Sequence, residues 1–514
     1  MNITWTSGNI KALGIYLGND HPEVLLIKEI YDKMETSTKF WNSFYLAKFA
    51  KARVLEIFIS SKLCYAAKFI AIPTNYQVLI QKLFNDFIKY PNTRNLIAQN
   101  ELYKLREDGG IKLINIQIKA LASKIKWLSE VIADDRYIIN KEIIDKLIGK
   151  QPHNYYGLDS IFIASNNILK NVIKITSPFY REIVKKIADL YPRRKKTDIE
   201  QQNVLFNYVF VNKNDFSIIK SPYLINLNKT GIKTYGDLRA EKQKQTNGIS
   251  YNKCLVKIFD RIVVDEDEGE VFDSVELYQN GEINRVNMKK VKEKEIYTTL
   301  IKKTYKDTHI SETTWQEHFS NNLNYSHIWI NLKNKFVLEG TRTYIWEQIH
   351  LNYYTTAWFN KITDKQDPCP LCMEIPKDKK HLIIDCNIVK ILWSKIDNTL
   401  QKLVDVSVDQ KEMVFGLTAN NLKTEEKLRN WVTFKLRETI GKHEKTFHEN
   451  HQNINSITRI KNDFNKQIQK EITYMYQLYK KQNKLNLLYL EYNSKFEMFT
   501  VENDKVTVKD LMTT

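Results

Sequence analysis

Apolar residues recur at helical spacing along most of the chain, with short apolar runs between the helical stretches. Residues 1–20 read as a short strand and turn, carried by Ala12, Leu13, Gly14, Ile15, Tyr16, Leu17 and Gly18 and followed by Asn19-Asp20. A helical stretch with breaks is expected from near Thr36 to Ile72, where Pro73 ends it. The next helix runs from about Asn75 to Tyr90 and puts Leu79, Leu83, Phe84, Phe87 and Ile88 on one face, before Pro91. Glu107-Asp108-Gly109-Gly110 is a turn signal, and Ile111 to Ile114 reads as a short strand. Asn115 is a candidate N-cap for a helix whose stripe is Leu121, Ile125, Leu128 and Ile132. Residues 140–300 are less regular, with β-like runs at Val204–Val211 and Ile262–Val264; from about Glu295 the pattern is again helical. The expected fold is mainly α with a few short β-strands, in several domains.

Composition narrows the class. A chain of 514 residues points to roughly three units of ordinary size. With 43% hydrophobic and 12% aromatic residues it can build real cores, which excludes wholesale disorder. The formal net charge of +18 favours a polyanionic partner, nucleic acid or an acidic membrane surface. An AT-rich coding sequence would also inflate Lys, Asn and Ile, all abundant here, so charge alone does not decide. The basic cluster Arg193, Arg194, Lys195 and Lys196 and the acidic run Asp265–Glu268 with Glu270 read as solvated loops. No apolar run is long enough to span a membrane, and Met1 to Ile10 lack the pattern of a secretory signal. Five cysteines are too few for a disulfide scaffold, and three fall between Cys369 and Cys386, which points to a reducing, intracellular setting and a metal site.

That cluster is the sharpest local signal. Cys369-Pro370-Leu371-Cys372 is followed after eight residues by His381 and after four more by Cys386. Two thiolates on one tight turn, joined by an imidazole and a third thiolate, suit tetrahedral Zn2+ and leave no coordination position open, so the expected zinc is structural and stabilises a small knuckle. Such knuckles often present basic groups to single-stranded nucleic acid. Lys377, Lys379 and Lys380 lie between the ligand pairs and are candidates for that contact, or serve solubility alone.

The order of signals along the chain resembles the C-terminal part of the reverse transcriptases of non-LTR, LINE-type (jockey-like) retrotransposons. Lys11-Ala12-Leu13-Gly14-Ile15 looks like the primer-grip strand after the polymerase palm. Ala52-Arg53-Val54-Leu55, Ser61-Lys62-Leu63-Cys64-Tyr65 and Ile72-Pro73 look like the thumb helices. Gly109-Gly110-Ile111, Asn115-Ile116 and Lys119-Ala120-Leu121 with Trp127 resemble the thumb's closing turn and helix. Gly231-Ile232 with Gly236-Asp237-Leu238 resembles a connector motif; Trp315, Trp329 and Trp346 precede the metal cluster, Trp393 follows it, and Asn430-Trp431 opens a last helical region. The domains implied are the end of a palm at 1–20, a helical thumb at 21–135, a connector with short strands at 136–300, a helical region with the CCHC knuckle at 301–400 and a C-terminal helical region at 401–514.

The resemblance implies a part in target-primed reverse transcription, with RNA and DNA (the template–primer duplex and the target DNA) as partners, no membrane, and residence in a nuclear or cytoplasmic ribonucleoprotein. Phosphoryl transfer needs carboxylates holding two metal ions. In the family they fall upstream of position 11, so no catalytic residue is expected in this chain. Asp134-Asp135 reads as a solvated helix terminus, and Asp405 and Asp409 stand alone rather than forming a nuclease core. In the thumb-like stretch Lys51, Arg53, Lys62 and Lys68 are candidate phosphate contacts, or ordinary exposed positions of amphipathic helices. Trp127, Trp346 and Trp393 are expected to pack in cores, whereas Lys427, Arg429, Lys435 and Arg437 read as a basic helical surface. Two other readings stay open: a stand-alone RNA- or DNA-binding zinc protein, and an inert truncated remnant.

Overall fold

The computed structural model describes residues 8–133 and 274–512, apart from 13, 19, 20, 91–96, 280, 288, 289, 307–309, 320–322, 353, 354, 365 and 451–456; between these blocks it describes 182, 183, 186, 190, 210–212, 234–246 and 262–264. The cluster Arg193–Lys196, the run Asp265–Glu268 with Glu270, the pair Asp134-Asp135 and Gly231-Ile232 lie outside the described residues. The fold is mainly helical, and its strands form four two-stranded antiparallel sheets among the described residues. The chain divides into two compact units, each discontinuous in sequence.

The first unit is Met1–Thr36, Ile59–Gln81 and Asn115–Thr304. It opens with a hairpin rather than a single strand: β1 (Ile10–Ala12) pairs with β2 (Ile15–Leu17) around Gly14, whose φ of +81° suits glycine. Helix α1 (Pro22–Asn42) begins well before the expected start at Thr36. Helix α2 (Lys48–Val54) belongs to the second unit; after α3 (Ser61–Cys64) the broken helical stretch stops before Pro73, as expected, and the Pro73 carbonyl accepts from Gln77 N–H at the start of α4 (Thr74–Lys89). Its buried face is Ile80, Phe84, Phe87 and Ile88; Leu79, expected on that face, is exposed. Following α5 (Gln99–Tyr103), which belongs to the second unit, helix α6 (Ile116–Ala133) is capped as expected, Asn115 Oδ1 accepting from Ile118 N–H at 3.1 Å. Leu121, Ile125 and Leu128 are all buried.

The β-like runs at 210 and 262 pair with each other, β3 (Phe210–Asn212) against β4 (Ile262–Val264). Between them lies α7 (Tyr235–Thr246), entered by a reciprocal cap in which Thr234 and Asp237 accept each other's backbone N–H. A second hairpin, β5 (Ser274–Gln279) with β6 (Glu282–Asn287), turns at Gly281 and packs on α8 (Glu293–Thr304). Tyr278 N–H donates to Thr299 Oγ1 at 2.7 Å. Helix α8 packs on α6, where Lys119 and Glu293 pair at 2.5 Å and Asn115 N–H donates to the Tyr297 hydroxyl at 3.1 Å.

The second unit is Ser37–Phe58, Lys82–Ile114 and Tyr305–Thr514. It holds α9 (Ile310–Phe319), α10 (Tyr325–Asn331), α11 (Glu339–Ile349), α12 (Thr356–Thr363), α13 (Asn387–Leu403), α14 (Gln410–Phe415), α15 (Thr424–Asn450), α16 (Ile457–Lys481) and α17 (Leu485–Tyr492). A closing hairpin, β7 (Phe499–Glu502) with β8 (Lys505–Val508), turns through Asn503 and Asp504, both at positive φ. The Gly109-Gly110 turn has the expected form. Gly109 has a φ of +84°, and a side chain at Gly110 would meet the Lys104 carbonyl. The Gly109 carbonyl accepts from Trp346 Nε1–H at 2.7 Å and lies 2.8 Å from His350 Nε2, which anchors the turn among buried aromatics. Ile111–Ile114 is not a strand: Lys112 sits at φ +59°, and Lys112 and Leu113 donate to the carbonyls of Lys104 and Leu102.

Helix α15 is the axis of this unit, with α11, α13, α16 and α17 packed on it. Every residue from Leu428 to Gly441 is buried. Gly441 gives the closest approach: a Cβ there would fall 1.3 Å from the Tyr344 hydroxyl. The basic residues of α15 therefore do not form the expected surface. Arg429 is fully buried; it pairs with both oxygens of Glu412 at 2.5 and 2.6 Å and donates to the carbonyls of Leu400, Val404 and Val406. Lys435 sits between Glu438, Glu471 and the Thr341 hydroxyl, and Arg437 donates to the Val414 carbonyl. Only Lys427 of the four keeps partial exposure. A helix surrounded on all sides can carry cations only if acids and carbonyls meet them, and apart from Glu438 those partners come from positions remote in sequence.

Candidate metal centre

The Cys369–Cys372 segment is a knuckle closed by its own backbone. Cys369 N–H donates to the Glu374 carbonyl at 2.7 Å, and Met373 N–H donates back to the Cys369 carbonyl at 2.8 Å. Met373 completes the turn at a φ of +62°. The other two residues flank one widened helical turn, His381–Asp385, where Cys386 N–H donates to the His381 carbonyl at 2.8 Å. Cys386 then leads into α13. Asn387 Nδ2–H donates to Glu374 Oε1 at 2.8 Å and ties the second half of the site to the first.

This folding brings Cys369, Cys372, His381 and Cys386 together, with one ligand atom from each lying within 4.8 Å of all the others. Cys372 Sγ is 3.3 Å from His381 Nε2. Cys369 and Cys386 are fully buried, His381 nearly so, and Cys372 half-buried. The four are close enough to hold one metal ion. Their electrostatics fit that role. The Cys386 thiol beside it, together with burial, pushes Cys369 up to about 12, and burial pushes Cys372 up as well. Burial would lower His381, but its hydrogen bond to Cys369 and the charges of Cys369, Asp385 and Glu444 raise it on balance. Cys369, Cys372 and His381 thus hold their protons more firmly than free groups when no cation is present; a bound cation reverses that balance and favours thiolate ligands.

Glu444 of α15 is a neighbour that sequence pattern does not find. Its carboxyl is buried, which raises it to about 7, and Oε1 accepts from the N–H and hydroxyl of Thr356 at the start of α12. It lends a negative field to His381 from 63 positions along the chain, a distance at which no spacing rule applies.

The basic candidates are divided between the two units. Lys377 is exposed. Lys379 donates to the Leu351 carbonyl at 2.6 Å, and burial lowers it. Lys380 lies 3.4 Å from Asp378 and 3.3 Å from His318 Nδ1. Lys51 of the second unit is buried and donates to the carbonyls of Phe87 and Tyr90 at the end of α4, at 2.9 and 2.5 Å. There it closes a helix C-terminus, and burial with Lys48 nearby lowers it to about 8. Arg53 of the same unit is exposed, as are Lys62 and Lys68 of the first unit.

The tryptophans behave as core. Trp315, Trp329, Trp346 and Trp393 are buried in the second unit, and Trp329 stacks on His350 with ring centroids 4.9 Å apart. Trp127 is half-buried beside its stripe. Asp409, weighed above as a stray acid, caps α14 by accepting from Glu412 N–H at 2.7 Å. No helix among the described residues is long and apolar enough to cross a membrane. The chain matches no protein-family model, and no curated protein is detectably similar to it.

Proposed function

We propose that the chain is a nucleic-acid-binding protein built around a structural zinc, acting as the thumb, connector and zinc module of a non-LTR retrotransposon reverse transcriptase. The observation that carries the reading is the four-ligand cluster. A Cys3His set is the soft-ligand chemistry zinc prefers, and a tetrahedral site of that kind has ligand–ligand edges of about 3.5–3.8 Å. The cluster, with all its ligand atoms within 4.8 Å, is near that size before any ion contracts it. Four protein ligands leave no place for a reactive water, so the ion's work is to hold the knuckle and the start of α13.

Nucleic acid as partner is supported by the net charge of +18 and by the exposure of Arg53, Lys62, Lys68 and Lys377. On this reading the chain grips the template–primer duplex and target DNA, and phosphoryl transfer belongs to the palm of the polymerase. The test is equilibrium binding of the full chain to RNA and DNA over a range of salt concentrations. The expected result is an affinity whose logarithm falls linearly with the logarithm of salt, with a slope of several units. Absence of salt-sensitive binding to either polymer would remove the reading.

A further inference from the structure

The segment Ser37–Phe58 of the second unit presents an aromatic cluster to solvent. Trp41 lies at its centre, with ring centroids 5.7 Å from Phe40, 5.6 Å from Phe44 and 5.2 Å from Phe58; Phe40 and Phe44 are 5.3 Å apart. These rings hold one another in place, and the turn after α1 is fixed by Ser43, whose N–H and hydroxyl both donate to the Phe40 carbonyl. Yet they are not a core: Phe40 is 59% exposed, Phe58 52% and Phe44 47%, and Tyr45 beside them is 99% exposed. Scattered exposed apolar residues need no explanation, but contiguous aromatic surface on one short segment marks a binding site.

The chemistry of the segment selects the occupant. Its exposed cations are Lys39 and Arg53, since Lys51 is buried against the Phe87 and Tyr90 carbonyls and Lys48 is paired with Glu347 at 2.7 Å; its one acid, Glu56, is paired with Lys112 at 2.7 Å. Lys39 adjoins Phe40 on α1, and Arg53 lies four residues before Ile57, itself 52% exposed. A second copy of the chain would bring the same positive charge to the same face, which opposes self-association. Rings rimmed by cations fit a strand whose bases are unpaired: each base offers a π-face to stack on, and each phosphate a charge to meet. We infer that the Phe40–Trp41–Phe44–Phe58 cluster is a stacking platform for single-stranded nucleic acid, with Lys39 and Arg53 tracking its backbone. The inference rests on the nucleic-acid reading above and adds to it a place and a form of the ligand.

The test compares the full wild-type chain with the F44L/F58L variant, using a labelled oligouridylate of about 15 nucleotides and a duplex of the same length. Leucine keeps the surface apolar and uncharged but removes the stacking face. The expected result is a loss of at least about tenfold in single-strand affinity, with the salt slope and duplex affinity unchanged, and R53Q lowering the slope by about one. If wild type shows no salt-sensitive binding, the nucleic-acid reading falls and the platform with it. If wild type binds and F44L/F58L binds the oligouridylate equally well, the nucleic-acid reading stands and the platform is overturned. A concentration-dependent dimer in light scattering that F44L/F58L abolishes would also overturn it, assigning the face to a second copy. Should the double variant melt early, F40L carries the same comparison on the most exposed ring of the cluster.

Discussion

The metal knuckle and helix α15 are both built from charged and polar residues buried in the second unit, and they were unequally visible. In the knuckle the partners are close in sequence: four ligands within 18 residues, closed by backbone bonds between neighbours such as Cys369 and Glu374. In α15 most partners are remote: Arg429 meets Glu412 and three carbonyls of the segment 400–406, and Lys435, besides Glu438 one turn on, meets Glu471 and Thr341. Spacing along a chain reports chemistry that closes locally. It is blind to chemistry that closes through the fold, where a run of cations looks the same whether it faces water or acids.

That contrast can be broken at either end. The largest effect is expected at Arg429. Replacing it with alanine leaves Glu412 buried without its partner and orphans three carbonyls, a loss of about 3–5 kcal/mol. A denaturation midpoint close to that of wild type would return Arg429 to the surface, as the helical pattern had it. Gly441→Ala comes next. The added methyl must displace the Tyr344 hydroxyl within a packed helix crossing, costing about 1–3 kcal/mol despite alanine's better helix propensity. A stabilised variant would show that α11 and α15 are not so close.

The pH dependence of the Lys435–Glu438 pair is a further probe. Burial alone would raise Glu438, but Lys435 and Lys442 hold it below the usual carboxylate range. Burial alone would lower Lys435, but Glu438 and Glu471 hold it above the usual lysine value. The Glu438 contribution is therefore complete above the unfolded value of about 4.5 and is lost as pH falls through the lower folded one; the Lys435 contribution is complete below about 10.5 and is lost as pH rises through the higher folded one. E438Q should flatten the acid limb of the stability profile, and an unchanged limb would place the loss elsewhere. The smallest effect is expected at Asp409→Ala, about 1 kcal/mol for a helix cap, read by the same midpoint.

The same rule sorts what else was legible. Helical class, the Asn115 cap, the Gly109-Gly110 turn and the α6 stripe all rest on contacts a few residues apart, and all are present. Two hairpins were passed over although local signals existed: Asn280-Gly281 between β5 and β6, and Asn503-Asp504 between β7 and β8. Gly14 and Gly18 around an apolar strand signal a tight turn, and Gly14 forms one, although the pairing of β1 with β2 carries no signal of its own. Lys51 carried no signal of its fate, because the carbonyls that hold it belong to Phe87 and Tyr90, 36 and 39 residues away. The interleaving of the two units has the same cause, since segments such as Lys82–Ile114 and Tyr305–Thr514 join without any repeat or pattern in common.

At the knuckle end, Cys372→Ser should expose the segment 369–386 to protease while leaving α15 protected; uniform protection would mean that no ion holds the segment. The most direct measurement is the metal content of the purified full chain after exhaustive dialysis. The account predicts about one zinc per chain, released by chelation together with protection of 369–386. A chain that stays folded there with far less than one equivalent of any metal would contradict it.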